Sequence, residues 1–158
     1  MTTGLAMPRD SNEHPEKFLS VLREGLPALL ITVDQDGFPH TAFTFAAATL
    51  AQQVAFVVDD VSTTLANIER TGIASIQILA KDNQVYLLKG KVRISESRMK
   101  HSPVASRRAI IELHSVRNQA WAEIAVSPLT YINSPRAALL WANAVPKIYA
   151  ELRGESSE

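Results

Sequence analysis

Ser62, Thr63 and Thr64 form a run of three hydroxyl side chains directly after the acidic doublet Asp59-Asp60 and Val61. Behind them Leu65, Ala66 and Ile68 supply one apolar side of a helix that Gly72 ends. A serine in that place is a natural helix N-cap. The first N–H groups of a helix have no intrahelical acceptor, and they carry a partial positive charge. Hydroxyls beside them add donors of the kind a phosphate accepts. Asn67, one turn further on, adds an amide. Two readings stand at this point: a plain cap with solvated threonines, or an anion site where a strand runs into a helix.

Other residues carry weaker signals. Thr44 lies between Phe43 and Phe45, so strand alternation puts it on the face opposite both rings. Phe43, Phe45 and Phe56 either line a flat ligand or fill the core, and core filling is the expectation. Lys89, Lys91 and Arg93 alternate along one strand, as a solvent-facing stripe or as a source of one cation for a ligand phosphate. Trp141 is expected in core or interface packing. Asp59 and Asp60 are strand neighbours that point to opposite faces, which argues against an acid–base pair. His14, His40, His101 and His114 lack metal-ligand spacing, and His40, after a Gly-x-Pro turn, is expected to be exposed. No Gly-x-Ser-x-Gly elbow, P-loop or Gly-x-Gly-x-x-Gly run is present.

The elements that must position these residues can be read from periodicity. Residues 15–24 predict a short helix stopped by Gly25. Residues 28–33 and 41–48 flank Asp36-Gly37 and predict a hairpin, and 53–58 a third strand. After the helix at 62–70, strands are expected at 73–79 and 85–95, with Gly90 marking a bulge or sharp bend. Ser102-Pro103 predicts a helix to about Asn118, because Ala105, Ala109, Leu113 and Val116 fall at helical spacing. Residues 121–133 return to strand texture. Ser134-Pro135 opens a last helix that Pro146 should kink or split. Six strands with few intervening helices predict a mainly β fold: a six-stranded antiparallel barrel with peripheral helices, not a doubly wound parallel sheet.

The chain has 158 residues, which favours one domain, and it can bury roughly 70% of its unfolded surface. Residues 1–13 read as a flexible arm without a secretory h-region, 14–152 as the domain and 153–158 as a polar tail. Sixteen Lys plus Arg balance sixteen Asp plus Glu, so charge gives no reason to expect nucleic acid or an anionic membrane as partner. No cysteine is present, which excludes disulfides, thiolate catalysis and cysteine-held metals, and fits a cytoplasmic setting. No apolar run approaches the ~20 residues of a membrane span.

The ordered set "ALLITVDQDGFPHTAFTF", "VAFVVDD", "VSTTLANIERTG", "ASIQIL" and "VYLLKGKVRI" resembles the core of the pyridoxamine-phosphate-oxidase-like, FMN-binding split-barrel family. The resemblance spans Leu26 to Ile94, a little under half the chain. It implies a split barrel, FMN as cofactor, a homodimer with the flavin at the subunit interface, and an FMN-dependent oxidoreductase acting on an unidentified small molecule. A non-enzymatic flavin- or haem-binding module on the same fold is the alternative. Carried over residue by residue, the phosphate would lie near Ser62, Thr63, Thr64 and Asn67. The ring would lie near Phe43, Thr44 and Val58, with a contribution from Gln84 or Lys89. Ala42 and Ala47 stand about where the family has an arginine and a lysine, and Thr63 and Thr64 replace two basic residues. Neutral donors would then carry much of the phosphate.

Overall fold

The computed structural model describes residues 15–155. Six strands close into one antiparallel barrel in the order β1-β2-β3-β6-β5-β4. They are β1 (Leu26–Val33), β2 (Pro39–Ala48), β3 (Val54–Asp59), β4 (Ile73–Ala80), β5 (Gln84–Arg98) and β6 (Ser106–Asn118). Three helices accompany them: α1 (Pro15–Leu22), α2 (Thr63–Thr71) and α3 (Pro135–Arg153). The mainly β barrel is therefore as the sequence predicts.

Strand alternation divides the apolar side chains into two cores. Ala28, Leu30, Ala46, Phe56, Val58, Ile76, Leu88 and Ile111 point into the barrel, with Phe18 and Leu22 of α1 added to the same cluster. Phe45, Ala47, Ala55 and Ile110 lie on the outer face and pack under Val145, Ile148 and Leu152 of α3. Phe56 thus fills the barrel as expected. Phe43 and Phe45 do not: Phe45 is buried outside the barrel wall, and Phe43 stays 47% exposed.

Three elements differ from the sequence reading. Residues 106–118 are a strand, not the second half of a helix. Ala109, Ile111 and Leu113 already carry a period of two, but the register with β5 shifts between Lys89↔Ser115 and Gly90↔Leu113, leaving His114 as an extra residue. That bulge brings Val116 back to the barrel interior three residues after Leu113, which imitates a helical interval. Gly90 sits opposite it, as anticipated, because a Cβ there would fall 1.9 Å from the Glu112 carbonyl oxygen.

Residues 121–133 form no strand. Every strand of the closed barrel has a neighbour on both sides, so no edge is left to receive a seventh. The segment runs over the surface instead, held by Asn83 Nδ2 donating to the Trp121 carbonyl at 2.9 Å, and by Val126 N–H donating to Asn83 Oδ1 at 2.9 Å. Pro146 does not split α3, which continues through it to Arg153 and is closed by Gly154 in the left-handed region. The expected tail from residue 153 accordingly begins inside the helix. The expected arm, residues 1–13, lies outside the described residues. No described helix is long and apolar enough to cross a membrane.

Candidate functional site

The pairing of β2 with β3 stops early. Only Ala46↔Phe56, Ala47↔Ala55 and Ala48↔Val54 are joined. Beyond them β2 continues alongside β1 to Pro39, and β3 continues alongside β6 to Asp59. The barrel wall splits there. At the point of separation Thr44 Oγ1 donates to the Val57 carbonyl at 2.7 Å and accepts from the Val57 N–H at 3.2 Å. One hydroxyl thus replaces the ladder partners that Val57 has lost, at a place where unpaired backbone groups are costly.

A crevice of about 310 Å³ opens at this split. Its walls come from β2 (His40, Ala42 to Phe45), the end of β3 (Val57 to Asp59), the mouth of α2 (Ser62 to Thr64), the β5–β6 turn (Ser102, Val104) and α3 (Trp141, Ile148). Phe43 and Phe45 meet edge to face at 5.3 Å, and the Phe45 and Trp141 ring centres lie 6.2 Å apart. Tyr131 adds a third ring against both phenylalanines. The lining therefore combines flat aromatic surface with hydroxyls at a helix start.

Ser62 caps α2. Its Oγ accepts from the Leu65 N–H at 3.1 Å and donates to the Asp59 carbonyl at 2.8 Å. Both of its functions are spent within the turn, so it shapes the mouth more than it donates into it. Thr64 differs. It is only 4% exposed, it lines the crevice, and its hydroxyl has no partner among the described residues. The N–H groups of Thr63 and Thr64, first and second in the helix, have no intrahelical acceptor. Two amides at the helix start and the Thr64 hydroxyl therefore belong to residues that line the crevice, and this donor set fits a phosphate held by neutral groups.

The charges nearby are arranged asymmetrically. The Asp60 carboxylate receives Arg107 Nε at 2.7 Å and Arg98 Nε at 2.6 Å. Hydrogen bonds from Arg107 and then Arg98 hold it below the usual carboxylate range. Asp59, which lines the crevice, has no donor to its carboxylate among the described residues. Desolvation, and then the charge of Asp60, push it above that range. No lysine or arginine lines the crevice. Burial, with a contribution from Tyr131, raises the Tyr149 hydroxyl far above its ordinary value, so it stays protonated beneath Phe45.

Five of the seven site residues read from the sequence, Thr44, Val58, Ser62, Thr63 and Thr64, meet at this crevice. Asn67 does not reach it. It is buried on another side of α2, where Nδ2 donates to Thr32 Oγ1 at 3.0 Å and Asp34 Oδ1 at 2.8 Å, tying the helix to β1. Lys89 lies on the outside of β5 beside Ser75 and Lys91, bordering a separate groove. Sequence reasoning missed Asp59, His40, Ser102, Val104 and Trp141 as lining. Only His40 carried a legible signal, as a histidine at the start of a strand; Trp141 arrives from a helix remote in sequence.

Solved structures share the architecture. The chain superimposes on an F420 reductase with a TM-score of 0.55 at 16% identity, over 65% of this chain and 98% of that one. A candidate pyridoxamine 5'-phosphate oxidase of Listeria innocua gives 0.53 at 15% identity, over 67% and 98%. This fold is the pyridoxamine-phosphate-oxidase-like split barrel. The same split barrel matches a heme binding protein of Mycobacterium smegmatis with a TM-score of 0.51 at 16% identity, over 68% of this chain and 53% of that one. No protein-family model matches the sequence. No curated protein matches it either. Proteins on this split barrel thus include ones named for F420 and for heme.

Proposed function

We propose that the crevice at the split binds FMN and that the chain serves a flavin-dependent redox reaction on a small molecule. The observation that carries this reading is the convergence of three segments distant in sequence, Phe43 to Phe45, Val57 to Asp59 and Ser62 to Thr64, on one crevice. Phe43, Phe45 and Trp141 offer apolar surface to a flat ring system. The Thr63 and Thr64 amides and the Thr64 hydroxyl offer donors to a phosphate. The flavin, when bound, supplies the redox step; the protein's part is to orient it and keep water from one side of it. The resemblance also implies a homodimer. Phe43, Leu139 (82% exposed) and Leu140 (59% exposed) would supply apolar surface for a second copy beside the crevice.

Haem is the second reading, favoured by the His40 imidazole in the crevice wall and by the heme binding protein on the same fold. Visible spectra of the purified chain, titrated separately with FMN and hemin, decide between them. FMN should bind with a shifted flavin band, and sedimentation of the same samples should give twice the chain mass. Thr64→Val should weaken FMN about tenfold, the size of one lost hydrogen bond to a charged group, while Lys89→Ala leaves it unchanged. A Soret shift with hemin and none with FMN would reverse the order of the two readings. Equal FMN affinity in wild type and Thr64→Val would remove the helix mouth from the site.

A further inference from the structure

The crevice pairs an anion-accepting helix mouth with an unpartnered carboxylate, and that combination has a consequence for which charge state can enter. Asp59 and Thr63–Thr64 line the same crevice of about 310 Å³. The two cations nearest in register, Arg98 and Arg107, are both engaged with Asp60. Ser106, opposite Asp59 on β6, is fully buried, and its hydroxyl bonds nothing among the described residues. A phosphate monoester dianion placed at the helix mouth would therefore meet a second negative charge with no cation between them. Asp59 is exposed at the end of β3, yet two negative charges brought together at one crevice raise each other's affinity for a proton, so one proton is retained between them.

Resting on the FMN reading above, we propose that Asp59 makes phosphate binding in this crevice proton-linked: one proton is taken up from solvent as FMN binds, and it is held between the Asp59 carboxylate and a phosphate oxygen. In that state the protonated group donates to the other, and the site holds two negative charges in place of three. Asp59 is then a specificity-determining residue, setting the charge on the flavin tail that the site accepts. Raising of the Asp59 carboxyl by burial is in the same direction.

Other titratable groups around Asp59 are accounted for by element. Directly after β3, Asp60 is neutralised by its two arginines. On β6, Arg108 donates to the Leu152 carbonyl at 2.8 Å. On α3, Glu151 accepts the Lys100 and His101 N–H groups of the β5–β6 turn, where His101 also lies. On β2, His40 lines the crevice with Nδ1 3.6 Å from Asp34 Oδ1. His40 is the other ionisable side chain lining the crevice, so the test must separate it from Asp59.

The experiment measures FMN and riboflavin affinity by fluorescence quenching from pH 6 to pH 8, for wild type, Asp59→Asn and His40→Gln. Wild-type FMN affinity should rise about tenfold or more from pH 8 to pH 6, as one linked proton over a range spanning the phosphate pKa near 6 requires. Riboflavin, which lacks the phosphate, should show no slope. Asp59→Asn should flatten the FMN slope and raise the ratio of FMN to riboflavin affinity at pH 8 about tenfold. His40→Gln should keep the slope. A flat wild-type FMN profile, or a slope that disappears with His40 and survives in Asp59→Asn, overturns the role of Asp59 and leaves flavin binding standing. Absence of binding by either flavin in all three proteins overturns the flavin reading itself.

Discussion

The β5–β6 hairpin and the β2–β3 junction are both antiparallel ladders in the same barrel, yet one is sealed and the other open. β5 and β6 run paired from Tyr86↔Asn118 to Arg98↔Arg107, interrupted by bulges. β2 and β3 share three pairs and then diverge, with Thr44 as the last tie. In the sealed ladder the side chains of both strands are free only to pack. In the open one the divergence leaves room for a crevice, and a single side chain must satisfy the backbone it exposes. The crevice in this fold lies where pairing stops, and the continuous ladder where it goes on.

The largest effect should come from disturbing the sealed ladder. Gly90→Val puts a Cβ 1.9 Å from the Glu112 carbonyl oxygen, which is backbone and cannot swing aside. It should cost about 3 kcal/mol or more in chemical denaturation. A loss under about 1 kcal/mol would mean that the bulge can migrate along the strands.

A smaller effect is expected at the split. Thr44→Val removes the donor to the Val57 carbonyl and the acceptor of its N–H, at a cost of about 1–2 kcal/mol. Amide exchange at Val57 should accelerate more than exchange at Val54, which stays paired with Ala48. Equal acceleration at both would mean that Thr44 holds the whole strand pair and does not mark its end.

The smallest effect concerns the ion pair that ties the end of β3 to the hairpin. The Asp60 carboxyl sits below its ordinary value through Arg107 and Arg98. Its contribution is complete above the unfolded value of about 3.9 and is lost as pH falls through the lower folded value. Thermal midpoints of the wild type should therefore decline on acidification below about pH 4, and Asp60→Asn should flatten that decline. Neighbouring Asp59 has the opposite sign: its raised carboxyl favours the folded state at low pH and loses that advantage as pH rises through its folded value. A variant as acid-sensitive as the wild type would show that the two arginines hold Asp60 without stabilising the fold.

Much of the barrel was legible because its signals are local. The Asp36-Gly37 turn, the Ser62 cap with Gly72 at the other end, and Gly90 at its bulge each act over a few residues. The hydroxyls at the helix mouth were legible for the same reason. That Asn67 lies away from the crevice was not legible, because the sequence shows that a residue lies on a short helix, but not which neighbour its side chain meets. That Lys89 borders another groove was not legible either, because the strand's place around the barrel depends on pairing partners far away in the chain.

The sequence by itself determined the first five strands, the helix that follows the third, and the presence of neutral donors at that helix mouth, since all depend on residues adjacent in the chain. Tertiary structure alone decided that 106–118 is a strand, that β2 and β3 part at Thr44, and that Asp59 and Trp141 share a crevice with Thr64. Those outcomes rest on hydrogen-bond register and on closure of the ring of strands. Both are set by contacts between distant segments, which no local pattern encodes.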